Sequence, residues 1–248
     1  MKSPLVSNKG SKRDRTRDQL LISTQTLLQK YNAAELRINQ VADNAGLVPA
    51  SFYNYYPDIS ALINDLGELL AATHAAAMAQ LVSPNDSPST RFARITRETL
   101  RVVAQQPFFG RLMFDVGLPI YRPGGYLRRS LHSDIEQGIT TGTFAAADVD
   151  VAVSLASGAI QGIGLDIHRG LIPPAKIDAI TARLLIGLGV AAVEAEHLAF
   201  TPIPTLPPAE LPMRWLALPP AFLSLTDTGS LGANYEHDAL LLASSTAN

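Results

Sequence analysis

The sequence predicts an all-α protein of two domains, an N-terminal three-helix helix-turn-helix unit followed by a larger helical domain. Three observations carry that prediction. Apolar residues recur at helical spacing in segment after segment, as in Leu62, Ile63, Leu66, Leu69 and Leu70. Clusters of Pro, Gly, Ser and Asn punctuate them, most clearly at 83–89 (Ser-Pro-Asn-Asp-Ser-Pro-Ser) and at Pro173-Pro174. The stretch from Ile38 to Pro57 has the layout of two short helices joined at a tight corner.

Within that stretch Val41, Ala42 and Ala45 share one helical face. Gly46 suits the left-handed residue that ends a helix, and Leu47 plugs the corner. Pro49 fits the first turn of the second helix, where its missing N–H has no intrahelical partner to lose. Phe52 and Tyr56, at i and i+4, form an inward stripe, which leaves Ala50, Ser51, Tyr53, Asn54 and Tyr55 outward. That outward face is uncharged, so affinity for phosphate must come from nearby cations, while hydroxyls, an amide and small apolar groups meet base edges and backbone.

The order Val41-Ala42, Ala45-Gly46-Leu47 and Ser51-Phe52-Tyr53-x-Tyr-Tyr56-Pro57 resembles the DNA-binding domain of the TetR family of bacterial one-component transcriptional regulators. The resemblance covers the stretch from Thr16 to Leu62. It departs where the family often has Ser or Thr as helix caps, here Arg37 and Val48, and where it often has Lys, here Ile59; Arg37 can stand in for that cation. The resemblance implies a homodimer on a palindromic duplex operator, released by a small-molecule effector bound in the C-terminal domain. It assigns DNA contact to Pro49, Ala50, Ser51, Tyr53, Asn54 and Tyr55, with Lys12, Arg13, Arg15, Arg17 and Arg37 as the supporting cations. It also implies an effector site around Phe92, Phe109, Met113, Phe114, Tyr126, Leu131, Ile135 and Ile160, and a mostly apolar list implies a mostly apolar molecule.

Composition agrees. Hydrophobic residues make up 47% of 248 residues, ample for a core, and the absence of cysteine excludes disulfides, thiolate metal sites and a Cys nucleophile. With no signal peptide and no run of about 18 apolar residues, the expected location is the cytoplasm, with no membrane partner. The net charge of −2 conceals an asymmetry. Residues 1–60 carry eight Lys and Arg against five acids, or +3, and the remainder carries −5, the distribution expected when one end of a molecule meets phosphate.

In chain order, residues 1–10 form a polar arm, and a helix from Arg13 to Lys30 braces the helix-turn-helix. Its basic start opposes the helix dipole, which points to DNA phosphate as the reason for it. The first domain is residues 1–57. The second, 58–200, opens with a linking helix over 58–82 capped by Asp58 or Ser60. Next come a helix from Thr90 to Gln106, one from Phe108 to Val116 and one from Tyr126 to Gly138. A small-residue helix follows from Val151 to Arg169, capped by Asp148 or Asp150, and a last helix from Ile177 to Leu198. The family resemblance implies that the last two form the dimer interface, and an apolar helix with few charges beside one rich in small residues agrees with burial there.

Other motifs carry less. Arg91, Arg94, Arg97 and Arg101 form a basic stripe that a second nucleic-acid surface would share, although acids elsewhere in the domain are plainer partners. Neighbouring positions in His132-Ser133-Asp134 point about 100° apart on a helix and cannot form a catalytic triad among themselves. Asp166 and His168 lie two apart, which is poor spacing for joint metal ligation, and His74 reads as a partly exposed structural residue. The sequence therefore predicts neither an enzyme nor a metal or cofactor. Residues 201–248 extend past the family pattern: seven prolines between Pro202 and Pro220 enforce extended chain, while Met213, Trp215 and Leu218 among others supply apolar surface to strap across the protein or its dimer mate. A short helix around Tyr235 to Ser244 is also expected. An alternative reading has a protein partner act through this extension in place of an effector.

Overall fold

Short polar caps start the helices. In the computed structural model, which describes residues 11–218, the Ser11 hydroxyl accepts from the Asp14 N–H and the Asp14 carboxylate accepts from the Ser11 N–H. This capping box opens α1, Lys12–Leu27. α2 (Ile38–Asn44) and α3 (Pro49–Phe52) form the helix-turn-helix, with Gly46 at φ 69° in the corner between them. The Asp58 side chain then caps α4, Ile59–Met78, which continues as one 3-10 turn, Ala79–Leu81. Ser87 and Pro88 start α5, Pro88–Gln105, and Pro107 starts α6, Pro107–Phe114. α7 spans Tyr126–Thr140, and Asp148 caps α8, Val149–His168. Helix makes up 67% of the structure, and no strand occurs among the described residues. The polar arm and the helix expected around Tyr235 fall outside them.

The fold differs from the sequence expectation in two places. The expected last helix is two, α9 (Ile177–Gly187) and α10 (Ala192–Phe200). Gly189 sits at φ 88° with Ala145 against its Cα, so a Cβ there would lie 2.6 Å from the Ala145 Cβ. Leu188 and Val190 are buried on either side of it, and the chain turns α10 back onto α9 and α5. Secondly, His74 is 4% exposed and packs against Phe109 and Thr99, because α4 runs through the interior.

The core has two parts. One runs from α1 through α3 and α4 to α6 and includes Leu20, Phe52, Leu66, Phe109 and Met113; the other joins α5, α7, α8, α9 and α10 around Phe92, Ile135, Phe144, Ile160 and Leu185. Phe114 and Tyr121 pack against both. The small residues of α8 divide by face. A Cβ on Gly164 would fall 2.6 Å from the Phe114 ring, so this glycine lets α6 and α8 approach, whereas Gly158 and Gly162 face open space.

After α10 the chain runs extended from Thr201 to one 3-10 turn, Trp215–Ala217, lodged on α1. Met213, Trp215 and Leu218 are buried in the same core part as Leu20 and Phe52. Of the two expected destinations, strap across the protein is the one the fold shows.

Candidate nucleic-acid interface and effector site

Two aromatic anchors fix the recognition surface. Phe52 and Tyr56 are buried with ring centroids 5.7 Å apart, and Tyr53 meets Phe52 edge to face at 5.8 Å while remaining 59% exposed. Ala50 and Asn54 are exposed, and Pro49, Ser51 and Tyr55 are half-buried. α1 holds the pair of helices from behind through the Ser23 hydroxyl, which donates to the Val41 carbonyl at 2.8 Å. The departure from Ser or Thr at position 37 is met from the other end of the cap, since Gln40 accepts the Arg37 N–H at 2.9 Å.

The predicted cations divide. Lys12, Arg13, Arg15 and Arg37 are exposed. Arg17 is engaged inward: its Nε and Nη2 donate to the Asp65 carboxylate at 2.8 and 2.5 Å, and its guanidinium carbon lies 5.4 Å from the centre of the Trp215 ring. Burial works against its charge, but the Asp65 pairing outweighs that and holds the guanidinium firmly protonated. The Tyr56 hydroxyl also donates to Asp65; burial and that carboxylate both raise its pKa. Arg17 therefore positions α1 against α4, a role that neither Asp65 nor Trp215 signals locally in sequence.

The stripe on α5 is committed to the protein itself. Arg91 donates to Asp134, Gln137 and the Asp86 carbonyl, and Arg94 pairs with Asp86 at 2.7 Å. Arg97, 2% exposed, donates to Asp178 at 3.1 Å and to the Thr201 carbonyl, and Arg101 reaches the same Asp178. A second nucleic-acid surface has no cations left here. His132 faces Glu136 and Asp150, while Asp134 is buried against Arg91, so no triad forms.

The predicted effector residues fall on both sides of the seam between the core parts. Phe109 and Met113, with Tyr126 packed beside them, belong to one side; Phe92, Ile135 and Ile160, with Leu131 beside them, belong to the other, and Phe114 touches both. Phe92 meets Phe144 edge to face at 6.3 Å. Sequence reasoning misses the polar groups nearby. Burial raises the pKa of the Tyr121 hydroxyl and lowers that of His74 to about 4, leaving a neutral imidazole. Thr99 donates its hydroxyl to the Ile95 carbonyl, so the 2.9 Å contact to His74 Nε2 has the ring N–H donating, which makes Nδ1 an acceptor. No local motif marks His74 or Tyr121; only their placement does.

Large apolar side chains also stand exposed on two of the later helices. Val151 and Leu155 of α8 are 56% and 68% exposed, and Val193 and Phe200 of α10 are 83% and 58% exposed.

A solvent-facing second helix on a buried aromatic pair, flanked by exposed cations, has the arrangement of a helix-turn-helix unit that can meet DNA. No family model matches the chain, and no curated protein matches it in sequence. Solved structures do. RolR in complex with resorcinol is 26% identical, aligns over 79% of this chain and 98% of its own, and superposes with a TM-score of 0.64. A TetR-family transcription regulator from Shewanella sp. PV-4 is 15% identical over 70% and 97%, with a TM-score of 0.57. FadR from Bacillus subtilis in complex with stearoyl-CoA is 12% identical over 68% and 97%, with a TM-score of 0.54. In fold the chain is similar to TetR-family transcriptional regulators, and its helix-turn-helix motif agrees with that likeness.

Proposed function

We propose that the protein is a cytoplasmic, non-enzymatic repressor that binds a palindromic operator as a homodimer and leaves it when a small, mostly apolar molecule occupies the seam of the C-terminal domain. One observation carries the DNA half: an uncharged, exposed recognition face anchored by Phe52 and Tyr56 and ringed by exposed Lys12, Arg13, Arg15 and Arg37. Tyr53 and Asn54 are the polar side chains best placed to reach DNA, Asn54 at a base edge and Tyr53 at a phosphate.

The apolar faces of α8 and α10 support the dimer, with Val151, Leu155, Val193 and Phe200 meeting their counterparts across it. α8 is long and apolar enough to cross a membrane by composition, but its packing on α5, α6 and α7 supports the interface reading. For the effector, the RolR complex supports a small aromatic ligand bearing hydroxyls. The neutral His74 and the Tyr121 hydroxyl suit such a molecule better than an anion, because neither offers a compensating positive charge.

Sequencing DNA fragments retained by the purified protein, followed by titration at several salt concentrations, tests the reading. Each phosphate neutralised contributes about −0.9 to the log-log slope. A palindrome bound with a steep slope is expected; a flat slope, or no shared sequence among the fragments, defeats the proposal.

A further inference from the structure

α4 is the covalent bridge from the helix-turn-helix unit to the rest of the protein, and a bridge of one helix permits the unit to pivot. Two further attachments restrain it. The first joins the end of α1 to α6: the Ala33 N–H donates to the Val116 carbonyl at 2.8 Å and Arg111 Nε to the Leu28 carbonyl at 2.9 Å. The second is the C-terminal strap. Its near end is held on α5, where Arg97 donates to the Thr201 carbonyl and Glu98 accepts the Leu206 N–H at 3.4 Å. Its far end is held on α1. Gln25 donates to the Met213 carbonyl and accepts the Met213 N–H at 2.9 and 2.8 Å, an amide matched to the backbone of one residue. Asp18 accepts the N–H groups of Trp215 and Leu216, and the Trp215 indole N–H donates to Asp65 at 3.2 Å, beside Arg17.

The anchors at Asp18 and Leu28 lie ten residues apart on one helix, about 15 Å. Holding a rod at two such points removes its rotation as well as its translation. In a dimer, the separation and relative twist of the two recognition helices would then be set by each protomer's own strap.

We propose that the strap of residues 201–218 is a specificity-determining element which, by fastening α1 to the effector-binding domain, fixes the half-site spacing that the dimer accepts. The proposal rests on the operator-binding dimer above and adds a regulatory part to it: whatever shifts α5 or α10 reaches the DNA unit through the strap as well as through α4.

The test compares the wild-type chain with Trp215→Ala on a duplex selected by the wild type from fragmented genomic DNA, and on the same duplex with one base pair inserted between half-sites. The insertion adds about 3.4 Å and about 35° of twist. The wild type is expected to lose about tenfold or more in affinity on the insertion, and Trp215→Ala about threefold, so that the ratio between duplexes collapses. A variant that weakens equally on both duplexes, or binds both as the wild type does, overturns the proposal. Trp215 is the sole tryptophan, so its emission reports on the strap in the unaltered protein, even if the variant fails to fold. The emission should be that of a buried indole and stay so when the selected duplex saturates the protein; a shift to the solvent-exposed maximum on DNA binding also overturns the proposal. A wild type that selects no DNA defeats the regulator reading instead, and the emission measurement tells the two failures apart.

Discussion

Two rows of cations, nearly alike in sequence, have opposite fates. On α1, Lys12 and Arg13 stand exposed; on α5, Arg91, Arg94, Arg97 and Arg101 each point at a carboxylate of the same domain. Local spacing does not separate the rows, since both crowd one stretch of helix. What separates them is the acids that the fold brings to each: Asp86 from the preceding loop and the distant Asp134 and Asp178 come to α5, while on α1 Asp65 takes only Arg17. A basic stripe is therefore open to nucleic acid only where the fold leaves it facing solvent, and Arg17 shows the rule operating within a single helix.

The comparison can be broken first at Arg97. Arg97→Ala leaves the Thr201 carbonyl without its donor and Asp178 with Arg101 alone, and removing one partner of a buried pair costs about 3 kcal/mol. Urea unfolding should show that loss, while the salt slope of DNA binding by the folded fraction stays unchanged. The reverse holds for Lys12→Ala with Arg13→Ala: no change in unfolding midpoint is expected, and the slope should flatten by about 0.9 for every phosphate left unneutralised. Equal stability losses in the two experiments would erase the distinction between the rows. The smallest effect belongs to Arg94→Ala, whose partly exposed pair with Asp86 is worth about 0.5 kcal/mol, with DNA binding untouched; a measurable drop in operator affinity there would return the α5 stripe to the nucleic-acid surface.

How much is legible in the sequence follows the range of the interactions. The corner at Gly46, the caps at Asp58 and Asp148 and the inward pair Phe52 and Tyr56 are decided within a few residues, and the structure has them where local spacing puts them. Arg97 meets Asp178 across 81 residues and Gln25 meets Met213 across 188, distances at which no periodicity carries information. The break at Gly189 escapes local reasoning for a related cause. A lone glycine in an apolar run reads as tolerated helix, and only the pressure of Ala145 from another loop shows that the left-handed turn is required. The polar groups beside the seam between the core parts are hidden likewise, since His74 lies in an alanine-rich stretch whose neighbours say nothing of Thr99.

The grip of the strap on α1 also has a consequence in time. Ribosomes add about 5–20 residues per second, so about 10–40 s separate the synthesis of Gln25 from that of Met213. Throughout that interval the helix-turn-helix unit exists without the cover that Met213, Trp215 and Leu218 provide. A chain that terminates early keeps the apolar flank of α1 open to water and to proteases, so the last described segment to be made certifies that everything before it has been made.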